Sequence, residues 1–184
     1  MRVISGSAKG RILRSVPGPG TRPITDRAKS ALFSILGHDL SGTTFLDLFA
    51  GTGQIGIEAL SRGAERAVFV ELGTAALRTI RENLRLTGLE DRAEVVHQDV
   101  FAYLLRAPEP FDTIYVAPPQ YRQLWHQTLH RIDERPEWLE ETGWVIVQIH
   151  PVEFEERPLL HLELFDQRKY GSVMLCFYRK KAQE

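Results

Sequence analysis

The chain has 184 residues, 43% hydrophobic and 26% charged, with a formal net charge of −1. Such a length and composition suit one globular domain with a sizeable core and exclude a disordered or fibrous chain. The single cysteine, Cys176, excludes an intrachain disulfide framework, and the absence of a signal core or of an apolar run near the ~18 residues of a membrane span predicts a cytoplasmic location.

Charge is unevenly placed. Residues 1–29 carry Arg2, Lys9, Arg11, Arg14, Arg22, Arg27 and Lys29 against Asp26 alone, an excess of six positive charges that leaves the remainder at −7. This basic arm is an electrostatic footprint for a polyanion, with a solvated tail as the alternative. Residues 2–15 alternate apolar and basic positions around Gly6 and Gly10 and predict a short hairpin, followed by a Val16-Pro17-Gly18-Pro19-Gly20 linker. Thr25 is suited to cap a helix with Ala28, Ala31, Leu32, Ile35 and Leu36 on one face, ending near Gly37. Residues 1–40 therefore read as a basic N-terminal extension and 41–184 as the main domain, the two forming one compact unit.

From Thr43 onward strands and helices alternate. Strands are predicted near 44–48, 66–71, 93–97, 112–116 and 143–149, and helices near 54–62, 74–87, 100–106, 121–131 and 136–141. Two last strands, near 159–167 and 172–179, lie too close together for a helical crossover and predict an antiparallel hairpin. The fold class is α/β, with a mostly parallel seven-stranded sheet.

The first strand runs through Asp47 into Phe49-Ala50-Gly51-Thr52-Gly53-Gln54-Ile55-Gly56. Gly51 and Gly53 remove the Cβ atoms that would hold a ligand off the backbone, and Gly56 lets the next helix pack on the strand. Asp47 would repel a pyrophosphate at the helix N-terminus and favour a ligand bearing positive charge, such as the sulfonium and ammonium of S-adenosylmethionine. Glu71 ends the next strand, where a ribose-gripping acid is expected, and Asp99 ends the third. Either alone could be a solvated strand end or a helix cap; the recurrence of three carboxylates along one sheet edge favours a ligand crevice. No His or Cys spacing suggests a metal, and Cys176, His97 and His150 read as structural or surface residues.

After the fourth strand comes Ala117-Pro118-Pro119-Gln120-Tyr121. Two prolines stop sheet pairing and stiffen the chain, leaving the Pro118 carbonyl as a rigid acceptor near an aromatic ring, a setting suited to a nucleobase. Trp125, Trp138 and Trp144 read as packing residues, with Trp125, near Tyr121, as an alternative flank for a bound base.

With Arg22-Pro23-x-Thr25-Asp26-Arg27, Asp47-Leu48-Phe49-Ala50-Gly51-x-Gly53, Glu58-Ala59-Leu60-Ser61-Arg62-Gly63-Ala64, Phe69-Val70-Glu71 and Lys169-Tyr170-Gly171, the chain resembles the RsmD-type 16S rRNA (guanine-N2)-methyltransferases over about residues 2–178. The resemblance implies a class I S-adenosylmethionine-dependent methyltransferase, Rossmann-like, acting on small-subunit ribosomal RNA or an assembling subunit. It implies that Asp47, Phe49, Gly51 and Gly53 hold the methionine part of the cofactor, Glu71 the ribose and Asp99 the adenine amine. Arg2, Lys9, Arg11, Arg14, Arg22 and Arg27 would meet RNA phosphates, and Pro118, Pro119, Gln120 and Tyr121 the target base.

One departure from that pattern stands at Ala117. The family typically has Asp or Asn before the two prolines and an aromatic residue directly after them, whereas here Gln120 intervenes before Tyr121. Gln120 is the expected substitute acceptor, or else a surface amide, with Tyr121 stacking on the base. Alternatives to an RNA methyltransferase are an RNA- and cofactor-binding protein with weakened catalysis, or a methyltransferase for a small molecule or protein. A NAD-dependent dehydrogenase is a distant fourth, since Asp47 and Asp99 fit it poorly. No long heptad or exposed apolar stripe suggests more than a monomer.

Overall fold

The computed structural model describes residues 1–19 and 23–184, so the expectation for Arg22 falls outside the described residues. Seven strands form one sheet in the order β3-β2-β1-β4-β5-β7-β6: β1 (Thr44–Leu48), β2 (Arg66–Glu71), β3 (Ala93–His97), β4 (Phe111–Val116), β5 (Leu139–Ile149), β6 (Leu162–Tyr170) and β7 (Val173–Lys180). Strands β1 to β5 pair in parallel, and β7 runs antiparallel between β5 and β6. The strand order reverses between β1 and β4, and the strand carboxyl ends at that switch point open a crevice.

Helices cover both faces: α1 (Asp26–Leu36), α2 (Gln54–Ser61) and α3 (Thr74–Thr87) on one, α4 (Val100–Tyr103) and α5 (Leu124–Glu134) on the other. Alternation along the strands divides the core accordingly. Phe45, Ala67 and Phe69 join one apolar cluster, while Leu46, Leu48, Val68 and Val70 join the second. Trp125 and Trp138 are buried packing residues, and so is Cys176, whose thiol is pushed up to about 11 by burial. Thr25 caps α1 by accepting the Ala28 N–H, and Gly37 ends it.

The N-terminal residues do not form a free arm. A single antiparallel bridge joins Arg2 to Ile12, and Val3, Ala8 and Leu13 are buried in the same cluster as Ile55 and Phe69. The buried Glu58 of α2 accepts the N–H groups of Ile4 at 2.8 Å and Ser5 at 3.0 Å, and pairs with Arg62 at 3.0 Å and Lys29 at 3.7 Å. Lys29 is thus a core ion and not part of the exposed basic surface, since burial among α1, α2 and the arm leaves it no solvent contact. Burial pulls its ammonium below the ordinary lysine range, with Glu58 opposing.

Several boundaries differ from expectation, among them β6, which runs Leu162–Tyr170 in place of 159–167, and the end of α5, at Glu134 in place of 131. The segment 136–141 is no helix: one 3-10 turn, Pro136–Trp138, leads directly into β5, where Leu139 pairs with Phe111. The backbone at Gly143 comes so close to β4 that an added Cβ would lie 2.8 Å from the Asp112 carbonyl oxygen, a contact that Thr142-Gly143 accommodates as strand. Helix α5 starts three residues late because Tyr121 and Gln123 take left-handed conformations, with φ of 63° and 54°. Helix α4 stops at Tyr103, well short of 106.

Candidate functional site

Strand β1 delivers Asp47 to the N-terminus of α2. Its Oδ2 accepts the Gly56 N–H at 3.2 Å, and the residue is 2% exposed. Burial is the main cause that pushes its carboxyl well above the ordinary range; the Gly56 bond opposes this and the Glu71 charge adds to it. A carboxyl here occupies the place that a phosphate takes at a helix N-terminus, and its electrostatic complement is a cation.

The turn between them is built from left-handed residues: Phe49 at φ 61°, Gly51 at 59° and Gly53 at 79°. A Cβ on Gly51 would meet nothing within 4 Å, since that side faces open space, whereas one on Gly56 would lie 2.4 Å from the Phe69 ring. Gly56 therefore serves helix–strand packing as expected, and Gly51 borders a cavity. Gly53 forms the buried N-cap of α2. Phe49 is a non-glycine residue held in a strained region at the crevice.

Glu71 lies across the turn. Its Oε2 accepts the Gly51 N–H at 2.8 Å, and its Oε1 accepts those of Leu72 and Gly73, both at 3.0 Å. Asp99 is an exposed cap for α4, Oδ1 accepting from Phe101 at 2.9 Å and Ala102 at 3.2 Å, and it borders neither cavity described below.

Two adjoining cavities occupy the crevice. The inner one, about 150 Å³, is bordered by Asp47, Phe49, Gly51, Gln54, Tyr115 and Gln148 among others. The outer one, about 500 Å³, is bordered by Phe49, Glu71, Pro118, Pro119, Gln120 and Arg122 among others. Pro118, Pro119 and Gln120 thus meet Phe49, Gly51 and Glu71 in one crevice. Tyr121 does not: 66% exposed, it stands at the rim, its ring 6.0 Å from that of His150 and its N–H bonded to Glu153 at 2.7 Å.

Four contributors escaped the sequence reading: Tyr115, Gln148, Asn83 and Gln54. The Tyr115 hydroxyl donates to Gln148 Oε1 inside the crevice. Asn83, buried on α3, donates to the Thr52 carbonyl at 2.9 Å and the Arg14 carbonyl at 3.0 Å, tying the glycine turn to the N-terminal segment. Gln54 accepts from Lys29 Nζ at 3.1 Å. A signal for Tyr115 existed, since alternation puts it on the same face as Asp47, its registered neighbour.

Of the basic residues, Arg2, Lys9, Arg11, Arg14 and Arg27 are all exposed. Arg2 pairs with Asp26 at 3.4 Å and Arg14 with Glu82 at 2.9 Å, both at the surface. Among the described residues no group of three or more His, Cys, Asp or Glu side chains is placed to hold a metal ion, and no helix is long and apolar enough to cross a membrane.

Comparison with known proteins gives a consistent result. The family described as Conserved hypothetical protein 95 matches over residues 1–179. YlbH of Bacillus subtilis (strain 168) is 38% identical over 185 residues, covering 98% of this chain and 100% of that protein. Ribosomal RNA small subunit methyltransferase D of Escherichia coli (strain K12) is 30% identical over 183 residues, covering 100% of this chain and 91% of its own length. The solved structure of yhhF from Escherichia coli superposes with a TM-score of 0.84 at 31% identity, covering 100% of this chain and 99% of that one. These matches bear out the RsmD-type resemblance, and the sheet is that of the class I methyltransferases.

Proposed function

The chain belongs to the Conserved hypothetical protein 95 family, and on that premise we propose that it is an S-adenosylmethionine-dependent methyltransferase acting on the exocyclic N2 of a guanine in small-subunit ribosomal RNA. The observation that carries this reading is the buried Asp47 carboxyl at the wall of the inner cavity, which suits a cationic cofactor and not a dinucleotide. The cofactor, when bound, supplies a methyl group already activated on a sulfonium.

The residues present fit it. Asp47 gains a counter-charge for the ammonium, Gly51 leaves room beside the backbone, and Glu71 offers its outer lone pairs to the ribose hydroxyls. Asp99 keeps Oδ2 available for the adenine amine, because its capping bonds fall on Oδ1. Pro118 and Pro119 hold the outer wall rigid against the incoming base, Gln120 borders it, and Tyr121 at the rim presents a ring for stacking.

The RNA surface in this reading is the N-terminal extension, residues 1–40, docked on the main domain, 41–184. Lys9, Arg11 and Arg27 are exposed and form no ion pair among the described residues, while the surface pairs of Arg2 and Arg14 exchange readily for phosphate. The target base must leave its stack to reach the crevice. The reading takes the protein to be a cytoplasmic monomer. Its test is transfer of labelled methyl to small ribosomal subunits lacking the modification, followed by nucleoside analysis: label in N2-methylguanosine is expected, and label elsewhere or nowhere would overturn it.

A further inference from the structure

We propose that Gln148 accepts a hydrogen bond from the substrate amine and so supplies the acceptor that Ala117 cannot. The inference rests on the functional reading above and goes beyond it by assigning the group at the point of chemistry.

The last registered pair of β4 and β5 is Val116 with Val147, so Ala117, the first residue beyond β4, stands next to Gln148 of β5. Their side chains leave the sheet on the same face. Both border the inner cavity and the outer one, which puts them where cofactor and base would meet. Val16, Phe49 and Gly51 are the other residues common to both cavities, and Gln148 alone among the five has a polar side chain. Gln120 is exposed and borders only the outer cavity.

The Tyr115 hydroxyl fixes which end of the amide does the accepting. It donates to Gln148 Oε1, and its own burial keeps the phenol protonated far above neutral pH. An amide oxygen has two lone pairs, so Oε1 retains one for an N–H of the substrate. Tyr115 is itself the registered neighbour of Asp47, which links the acceptor to the cofactor end of the site through two adjacent strands.

In the reaction the amine nitrogen forms a bond to the methyl carbon while the carbon–sulfur bond breaks, its electron pair leaving with sulfur. Positive charge grows on the nitrogen, and the hydrogen bond to Oε1 strengthens with it. Gln148 takes no proton; the surplus proton leaves the nitrogen for solvent after transfer. The contact therefore acts on kcat more than on binding.

The experiment compares Gln148→Ala, Gln120→Ala and the double variant Ala117→Asn/Gln148→Ala with the native protein. Methyl transfer to unmodified subunits is read as kcat and KM, and S-adenosylmethionine affinity by calorimetry. Gln148→Ala is expected to lower kcat about tenfold or more, with KM and cofactor Kd within about twofold. Ala117→Asn in that background is expected to restore most of kcat, which a purely structural role for Gln148 would not allow. Adding Tyr115→Phe to Gln148→Ala removes the orphaned hydroxyl should the single variant fold poorly. Native kcat in Gln148→Ala, a loss confined to Gln120→Ala, or no recovery on adding Ala117→Asn would each overturn this inference alone. A native protein that methylates no guanine overturns the functional reading and this inference together.

Discussion

The Glu71 carboxylate, at the end of β2, accepts the backbone N–H of Gly51 in the turn that follows β1, at 2.8 Å. One side chain thereby locks the turn that borders both cavities, and the same residue borders the outer one. Replacing it by Ala removes the acceptor for three N–H groups, at a cost of about 1–2 kcal/mol because the site is partly solvated. Amide exchange at Gly51 should accelerate, and cofactor affinity should fall at least tenfold by calorimetry. Unchanged exchange at Gly51 would show that the bond does not hold the turn.

Asp47 is a buried acid that costs stability as pH rises. An acid whose pKa is higher folded than unfolded contributes stability that is complete below its unfolded value, about 4, and is lost as pH rises through the folded value. At neutral pH the free protein therefore carries an unfavourable buried acid. Asp47→Asn should melt higher than the native chain at pH 7 and indistinguishably at pH 4, with cofactor affinity reduced at least tenfold. Thermal melts across pH decide it; a variant less stable at pH 7 would refute the account.

Glu58 neutralises two buried cations, Lys29 and Arg62, and receives two N–H groups from the N-terminal segment. Glu58→Ala should cost about 3–5 kcal/mol, since it leaves both cations uncompensated in the core. Lys29→Met should cost less, because Arg62 and the two N–H groups still satisfy the carboxylate. Urea midpoints measure the order, and protease sensitivity of residues 1–15 should rise in Glu58→Ala. Equal costs for the two variants would contradict it.

Gly56→Ala places a methyl 2.4 Å from Phe69 Cε1. Overpacking of this kind costs about 1–3 kcal/mol, more than the gain in helix propensity returns. Phe69→Leu opens the space, so the double variant should be more stable than the sum of the two single costs. Additive costs in a double-mutant cycle would place the strain elsewhere.

Strands β1 and β2 were legible to the residue because a central parallel strand buried on both faces reads as an apolar run, and the edge strand β3, with only Val96 buried, because its Val95-Val96 pair stands between polar residues. Helix α3 was legible for a local reason too, its end being marked by Gly88 in a left-handed conformation. The glycine turn, Asp47 and Glu71 were found because each carries its chemistry within a short motif. What stayed hidden depends on partners distant in sequence. Nothing near Lys29 announces Glu58, 29 positions on, so a buried ion was counted with the surface charges. Gln148 reads as one amide in an apolar strand until the register sets it beside Ala117. The rim position of Tyr121, on a left-handed backbone, likewise had no signal in the local sequence.

The docking of the first fifteen residues also orders events during synthesis. Ile4, Ser5 and Ala8 emerge from the ribosome before their acceptors on Glu58 and Ser61, which come 53 or 54 positions later, and the Asn83 partner of Arg14 comes 69 positions later. At roughly 5–20 residues per second, the basic segment spends several seconds exposed before the surface that seats it exists. Its folded shape is thus completed only once β1, α2 and α3 have been made, and a nascent chain halted before Asn83 would carry the positive charges without the geometry that arranges them.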